Sequence, residues 1–135
     1  FRPVVVERLA DHKMHEEWCR LPPETCDMVN QTRQRQGRVV AVGTTSVRTL
    51  ESAAQVTMVS GSSLQPWQGR TSLFIQPGFS FQAVDCLLTN FHLPGSTLLV
   101  LVAAMVGYDL IMEAYRQAIA ERYRFYSYGD AMLIM

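Results

Sequence analysis

Apolar residues along this chain fall into short runs with two different periods, separated by polar junctions rich in Gly, Pro and hydroxyl residues. The opening Phe1-Arg2-Pro3-Val4-Val5-Val6 is strand-like. After Pro22-Pro23, residues 24–36 place Cys26, Val29 and Met28 among polar neighbours, which predicts a surface helix closed by Gly37. Arg38-Val39-Val40-Ala41-Val42-Gly43 is a continuous apolar run of the kind found in buried parallel strands. It passes through Thr44-Thr45-Ser46 into a helix over 47–54. Residues 60–69 read as a Gly/Ser/Pro loop whose Trp67 folds back onto the core. Strands are expected over 71–75 and 86–89, and Gly95-Ser96-Thr97 then opens an apolar helix over 98–106 that ends at Gly107. Asp109 is placed to cap the next helix, with Ile111, Ala114, Tyr115, Ala118 and Ile119 on its buried face. A polar aromatic loop over 126–130 precedes a last apolar strand.

Strands alternating with helices indicate an α/β layer or a barrel-like sheet. No internal repeat or low-complexity tract interrupts it. At 135 residues, 48% hydrophobic and 18% charged, the chain has the size and composition of one soluble globular domain. Its formal charge of zero removes any global electrostatic signature of nucleic-acid binding, although a basic face is compatible with an acidic one elsewhere. Lys13 is the single Lys among mostly Arg cations. Arg suits bidentate phosphate contacts, and the same bias can reflect codon composition. Cys19, Cys26 and Cys86 are odd in number and lack a C-x-x-C pair, so neither a disulfide framework nor a zinc site is expected, and a reducing cytoplasm fits. The apolar run 98–106 falls well short of the ~20 residues of a membrane span. Starting at Phe1 inside a strand-like stretch, the chain reads as a piece of a longer protein.

Three strand-end segments carry the polar residues: 43–48, 90–97 and 126–130. Ligands of α/β proteins bind where the loops at the carboxyl ends of strands converge, so a shared pocket is the favoured reading. The first junction leaves free N–H groups at a helix start, suited to a carboxylate or phosphate; plain helix capping by Thr44, Thr45 or Ser46 is the structural alternative. His92, at a strand end before Pro94-Gly95, is placed to act as acid or base near neutral pH, or to be satisfied by a backbone group. Asp130, beside Tyr128 and Gly129, is a candidate for a ribose hydroxyl or a proton transfer, or else a turn residue. His12, His15 and Glu16 raise a metal alternative, a hydrolase that would also use His92. Their spacing does not match the two-His metalloprotease helix and marks no third ligand, so no metal is expected.

The longest ordered motifs are Val84-Asp85-x-Leu87-Leu88-Thr89-Asn90-Phe91-His92-Leu93-Pro94, then Ser96-Thr97-Leu98-Leu99 and Tyr126-Ser127-Tyr128-Gly129-Asp130-Ala131-Met132. With His12-x-Met14-His15-x-Glu17, Val42-Gly43-Thr44-Thr45-Ser46-Val47-Arg48 and Phe74-Ile75-x-Pro77-Gly78, they make the chain resemble the S-adenosylmethionine:tRNA ribosyltransferase-isomerases of queuosine biosynthesis. The resemblance implies transfer and isomerisation of the ribosyl moiety of S-adenosylmethionine onto 7-aminomethyl-7-deazaguanine in tRNA. The products are epoxyqueuosine, adenine and methionine, with no cofactor beyond the S-adenosylmethionine consumed as substrate.

The sulfonium acidifies the adjoining 5′ carbon, so such a site needs a base, a neutral amine and a proton donor for adenine. His92, His15, Glu17 and Asp130 are the candidate catalytic groups. Thr44, Thr45, Ser46 and Arg48 are expected to hold the methionine carboxylate, and Asn90, Ser96, Thr97 and Tyr128 to contact the rest of the substrate. The resemblance further implies part of an α/β barrel-like domain, lacking the N-terminal strands and the inserted β-barrel domain of full-length members. Expected partners are S-adenosylmethionine, tRNA bearing 7-aminomethyl-7-deazaguanine, and the missing N-terminal part or a second copy through an open sheet edge. No membrane is expected. The alternative is a non-catalytic domain of the same fold that binds tRNA or a partner chain.

Overall fold

The computed structural model describes residues 14–59 and 62–135. The strand expected over 1–6, and His12 with it, lie outside the described residues. The elements run β1 (Glu17–Leu21), α1 (Pro23–Gln34), β2 (Val40–Val42), α2 (Thr44–Thr57), β3 (Trp67–Thr71), β4 (Cys86–Asn90), α3 (Thr97–Val106), α4 (Tyr108–Ala120) and β5 (Ala131–Ile134). They fall into two compact units. One holds Met14–Leu73 with Ser80–Leu87; the other holds Phe74–Phe79 with Leu88–Ile134. β4 is divided between them.

The barrel-like sheet expected from the sequence is not found among the described residues. The strands form two open sheets, an antiparallel pair β1-β3 and a three-stranded sheet of order β2-β4-β5. Closing a barrel requires every strand to be paired on both edges with a consistent tilt and stagger. Here β2 and β5 are sheet edges and β3 pairs with β1 instead of extending the larger sheet.

In the first unit β1 lies against β3 with Glu17 opposite Thr71 and Leu21 opposite Trp67. The strand read over 71–75 is therefore displaced: Thr71 is the last residue of β3, and Trp67, assigned to a loop, begins it. The half-buried Trp67 ring lies across Gly69, where a Cβ would come within 2.9 Å of it. α2 buries Val47, Leu50, Ala53 and Ala54, positions three and four apart that make one apolar face. Glu51 falls on that face and is fully buried.

α1 ends at Gln34, two residues before the end expected at 36. Gln36, at φ 56°, takes the left-handed position, donating to Arg33, while Gly37 donates to Thr32. This is the paired bonding of a Schellman cap with a non-glycine at its crowded site.

In the second unit α3 and α4 meet at Gly107 with a bend of 116°, and neither helix is long and apolar enough to cross a membrane. Asp109 lies in the first turn of α4 but does not cap it; Gly107 occupies the cap position. Ile111, Tyr115 and Ala118 are buried as expected, Ala114 is half-buried, and Ile119 is 64% exposed. Phe91 fixes the core of this unit. Its ring stands edge-on to Tyr115 at 5.4 Å and tilted against Phe125 at 5.2 Å, geometries that add to simple area burial.

Candidate substrate-binding site

Two clusters of polar side chains emerge, one in each unit. The first surrounds the start of α2. Gly43 (φ 84°) turns the chain from β2 into the helix in a conformation that costs a side-chain-bearing residue energy. With glycine at the cap, no side chain caps α2, and the first turn of N–H groups carries the positive end of the helix dipole. Thr44 is buried; Thr45 and Ser46 are exposed. The Ser46 hydroxyl donates back to the Val42 carbonyl at 2.8 Å, so these residues do not act as the caps that the alternative reading assigned them.

One turn further on, Arg48 is 5% exposed. Its Nη1 donates to Glu17 Oε2 on β1 at 2.6 Å, and its Nε donates to the Leu73 carbonyl at 3.2 Å. Its Nη2 is buried with no partner, a singular defect among the described residues. A buried donor without an acceptor costs about 1–3 kcal/mol. The ion pair therefore does not by itself account for this arginine. Glu17 is half-exposed, and His15 and Glu16 at the foot of β1 face solvent, with Arg70 3.8 Å from Glu16.

Glu51, three residues beyond Arg48, was not singled out by sequence reasoning. Its carboxylate accepts backbone N–H bonds from Gln82, Ala83 and Val84 at 2.9–3.0 Å and so fixes the approach to β4. Burial raises its pKa, opposed by the three N–H bonds. A signal was present: Glu51 stands four residues after Val47 on the apolar face.

The second cluster follows β4. His92 is buried, with Nε2 3.0 Å from the Thr89 hydroxyl, and its backbone N–H donates to the Tyr115 hydroxyl at 2.7 Å. Burial pushes its pKa below 6.5, so the imidazole is the neutral base form at neutral pH. Ser96 caps α3 by accepting from the Leu99 N–H at 3.2 Å, and Thr97 beside it is buried. Near this cap a cavity of about 280 Å³ opens between α3 and α4, with an apolar wall that includes Leu99, Val100, Ala103 and Ile111.

Asn90 and Asp130 meet in the same unit, where both bond to the 124–130 loop. Asn90 Nδ2 lies 3.4 Å from the carbonyls of both Gly129 and Asp130. Asp130 accepts from the Arg124 backbone N–H at 2.7 Å and from its guanidinium at 3.0 Å. The Arg124 bonds hold this carboxyl below the usual carboxylate range. Tyr128 is 97% exposed. The described residues contain no group of three or more His, Cys, Asp or Glu placed to hold a metal ion.

The uncapped start of α2 beside Arg48 offers donors suited to an anion, and, in the other unit, His92 offers a neutral imidazole. Residues 1–134 match the queuosine biosynthesis protein family, and the chain belongs to that family. It is also similar to a solved structure, an S-adenosylmethionine tRNA ribosyltransferase from Thermotoga maritima, at 53% identity and a TM-score of 0.80. The similarity covers 87% of this chain and 40% of that one, so this chain spans well under half the length of the bacterial relative.

Proposed function

We propose that this chain contributes the S-adenosylmethionine-binding part of a cytoplasmic tRNA ribosyltransferase-isomerase. In this reaction the ribosyl moiety passes to 7-aminomethyl-7-deazaguanine in tRNA and is rearranged, giving epoxyqueuosine, adenine and methionine. The observation that carries the reading is the family match along the chain together with 53% identity to a protein named as an S-adenosylmethionine tRNA ribosyltransferase.

The methionine carboxylate lies at the start of α2, where the free N–H groups and helix dipole favour an anion. The unpaired Nη2 of Arg48 is a donor that the fold leaves unused, of the kind that suits a carboxylate. Among the four candidate bases, Asp130 is held ionised by Arg124, and Glu17 is tied to Arg48. His15 is exposed. His92 is buried and neutral, the form that takes a proton from the carbon next to a sulfonium, and is the base we assign.

The test is adenine release from S-adenosylmethionine, followed by chromatography, with tRNA carrying 7-aminomethyl-7-deazaguanine and unmodified tRNA as control. Release that depends on the modified base supports the reading. Failure of this chain to release adenine, even when supplied with the remaining portion of a family member, contradicts it.

A further inference from the structure

The segment from Arg122 to Asp130 is built to hold aromatic rings out in solvent. Tyr123, Tyr126 and Tyr128 are 48%, 62% and 97% exposed, while the intervening Phe125 packs on Phe91 and Tyr115. A sequence this aromatic ordinarily turns its rings inward, since each buries a large apolar area.

The backbone is fixed in place, and of the three exposed tyrosines Tyr123 rests its ring edge-on against Phe91 at 5.7 Å. Tyr126 donates its N–H to the Phe91 carbonyl at 2.9 Å, Gly129 donates to Tyr126 at 3.0 Å, and Asp130 donates to Arg124 at 2.8 Å. The Asp130 carboxylate closes the loop on Arg124, and Asn90 reaches it from the end of β4. At Gly129 the chain crosses itself so closely that a Cβ would collide with the carbonyls of Arg124 and Phe125. Tyr126 is held at φ 75°, a left-handed conformation that costs an aromatic residue energy and persists only where the surroundings impose it. Such strain gathers at ligand-contacting loops.

Within this segment Asp130 is neutralised by Arg124, whereas the exposed Arg122 has no ion-pair partner among the described residues. We infer that the Arg122–Tyr128 loop is a stacking platform for unpaired nucleotides of the RNA substrate, with Tyr128 and Tyr126 against base faces and Arg122 toward the backbone. Exposed aromatic rings on a preorganised loop are how proteins take splayed-out bases of single-stranded RNA, and stacking tolerates a formal charge of zero better than phosphate tracking would. The inference rests on the reading that RNA is the substrate and specifies where it docks.

The experiment is fluorescence anisotropy of a labelled RNA stem-loop with an unpaired seven-base loop, titrated without S-adenosylmethionine against this chain and its Tyr128→Ala, Tyr128→Phe and Tyr126→Ala variants. A blunt duplex of the same RNA is the control, and adenine release with modified tRNA is measured in parallel. We expect the stem-loop to bind more tightly than the duplex and Tyr128→Ala to weaken it about tenfold. Tyr128→Phe should stay near wild type, because stacking needs the ring and not the hydroxyl. Equal binding by Tyr128→Ala, or no preference for the stem-loop, overturns the inference while acceptor-dependent adenine release leaves the catalytic reading in place. A loss of self-association in Tyr128→Ala with RNA binding unchanged would also overturn it, by assigning the rings to a second copy.

Discussion

The start of α2 and the 124–130 loop both place an arginine against a carboxylate, and they use the pair in opposite ways. Arg48 is buried, holds Glu17, and retains an unpaired buried Nη2. Arg124 is 74% exposed and satisfies Asp130 with both backbone and side chain. A buried cation with unused bonding capacity is a defect that a ligand can relieve. An exposed pair that satisfies itself is a clasp, and what it leaves available is the pair of tyrosines it holds out. Polar residues at strand ends thus divide into those with something left to bind and those that position others.

The strongest way to break this comparison is to disturb the frame under Arg48. Glu51→Ala removes the acceptor for three backbone N–H groups, and we expect a loss of about 3 kcal/mol or more in chemical denaturation. A loss under about 1 kcal/mol would show that solvent or rearrangement replaces Glu51. Next is Glu17→Ala, which strands the Arg48 charge. Half-exposure of Glu17 brings the expected cost to about 1–2 kcal/mol, below that of a fully buried pair.

A pH profile sharpens the second unit. The folded pKa of His92 lies below its unfolded value of 6.5, so its neutral form contributes stability above pH 6.5 that is lost as pH falls through the folded pKa. His92→Asn should flatten the stability profile below pH 6.5, measured by denaturation at steps of pH; an unchanged slope would place His92 in a more solvated setting. The smallest effect is expected from Asp130→Asn. Its depressed pKa means the clasp is present above about pH 3.8 and lost as pH falls through the folded value. Being exposed, it should leave global unfolding nearly unchanged and speed amide exchange at Arg124 and Asp130.

Much of this frame was legible because its signals are local. The apolar runs at 40–42 and 86–90 and the periodic stretches of α1, α2, α3 and α4 declare themselves through spacing. Errors came where a distant partner decides. Thr71 ends β3 because β1 pairs over 67–71, a register that no spacing within 71–75 reveals. Gly37 attracted the helix end, but the left-handed site fell to Gln36, held by bonds to the preceding turn. The barrel was inferred from alternation and resemblance, and alternation does not fix which strands close on which. In the candidate site, residue types were readable and their partners were not: the bonds of Asn90 and Asp130 to the 124–130 loop join residues far apart in sequence or across a turn. Glu51 escaped notice because a glutamate in a helix is usually exposed.

The central claim is that the α2 start holds the small molecule while the tyrosine loop serves the RNA. The most direct test is calorimetric titration of S-adenosylmethionine into the wild-type chain, Arg48→Met and Tyr128→Ala, without RNA. The account predicts that Arg48→Met folds and loses S-adenosylmethionine binding, while Tyr128→Ala binds as wild type does. Retained binding in Arg48→Met, or an equal loss in both variants, would contradict it.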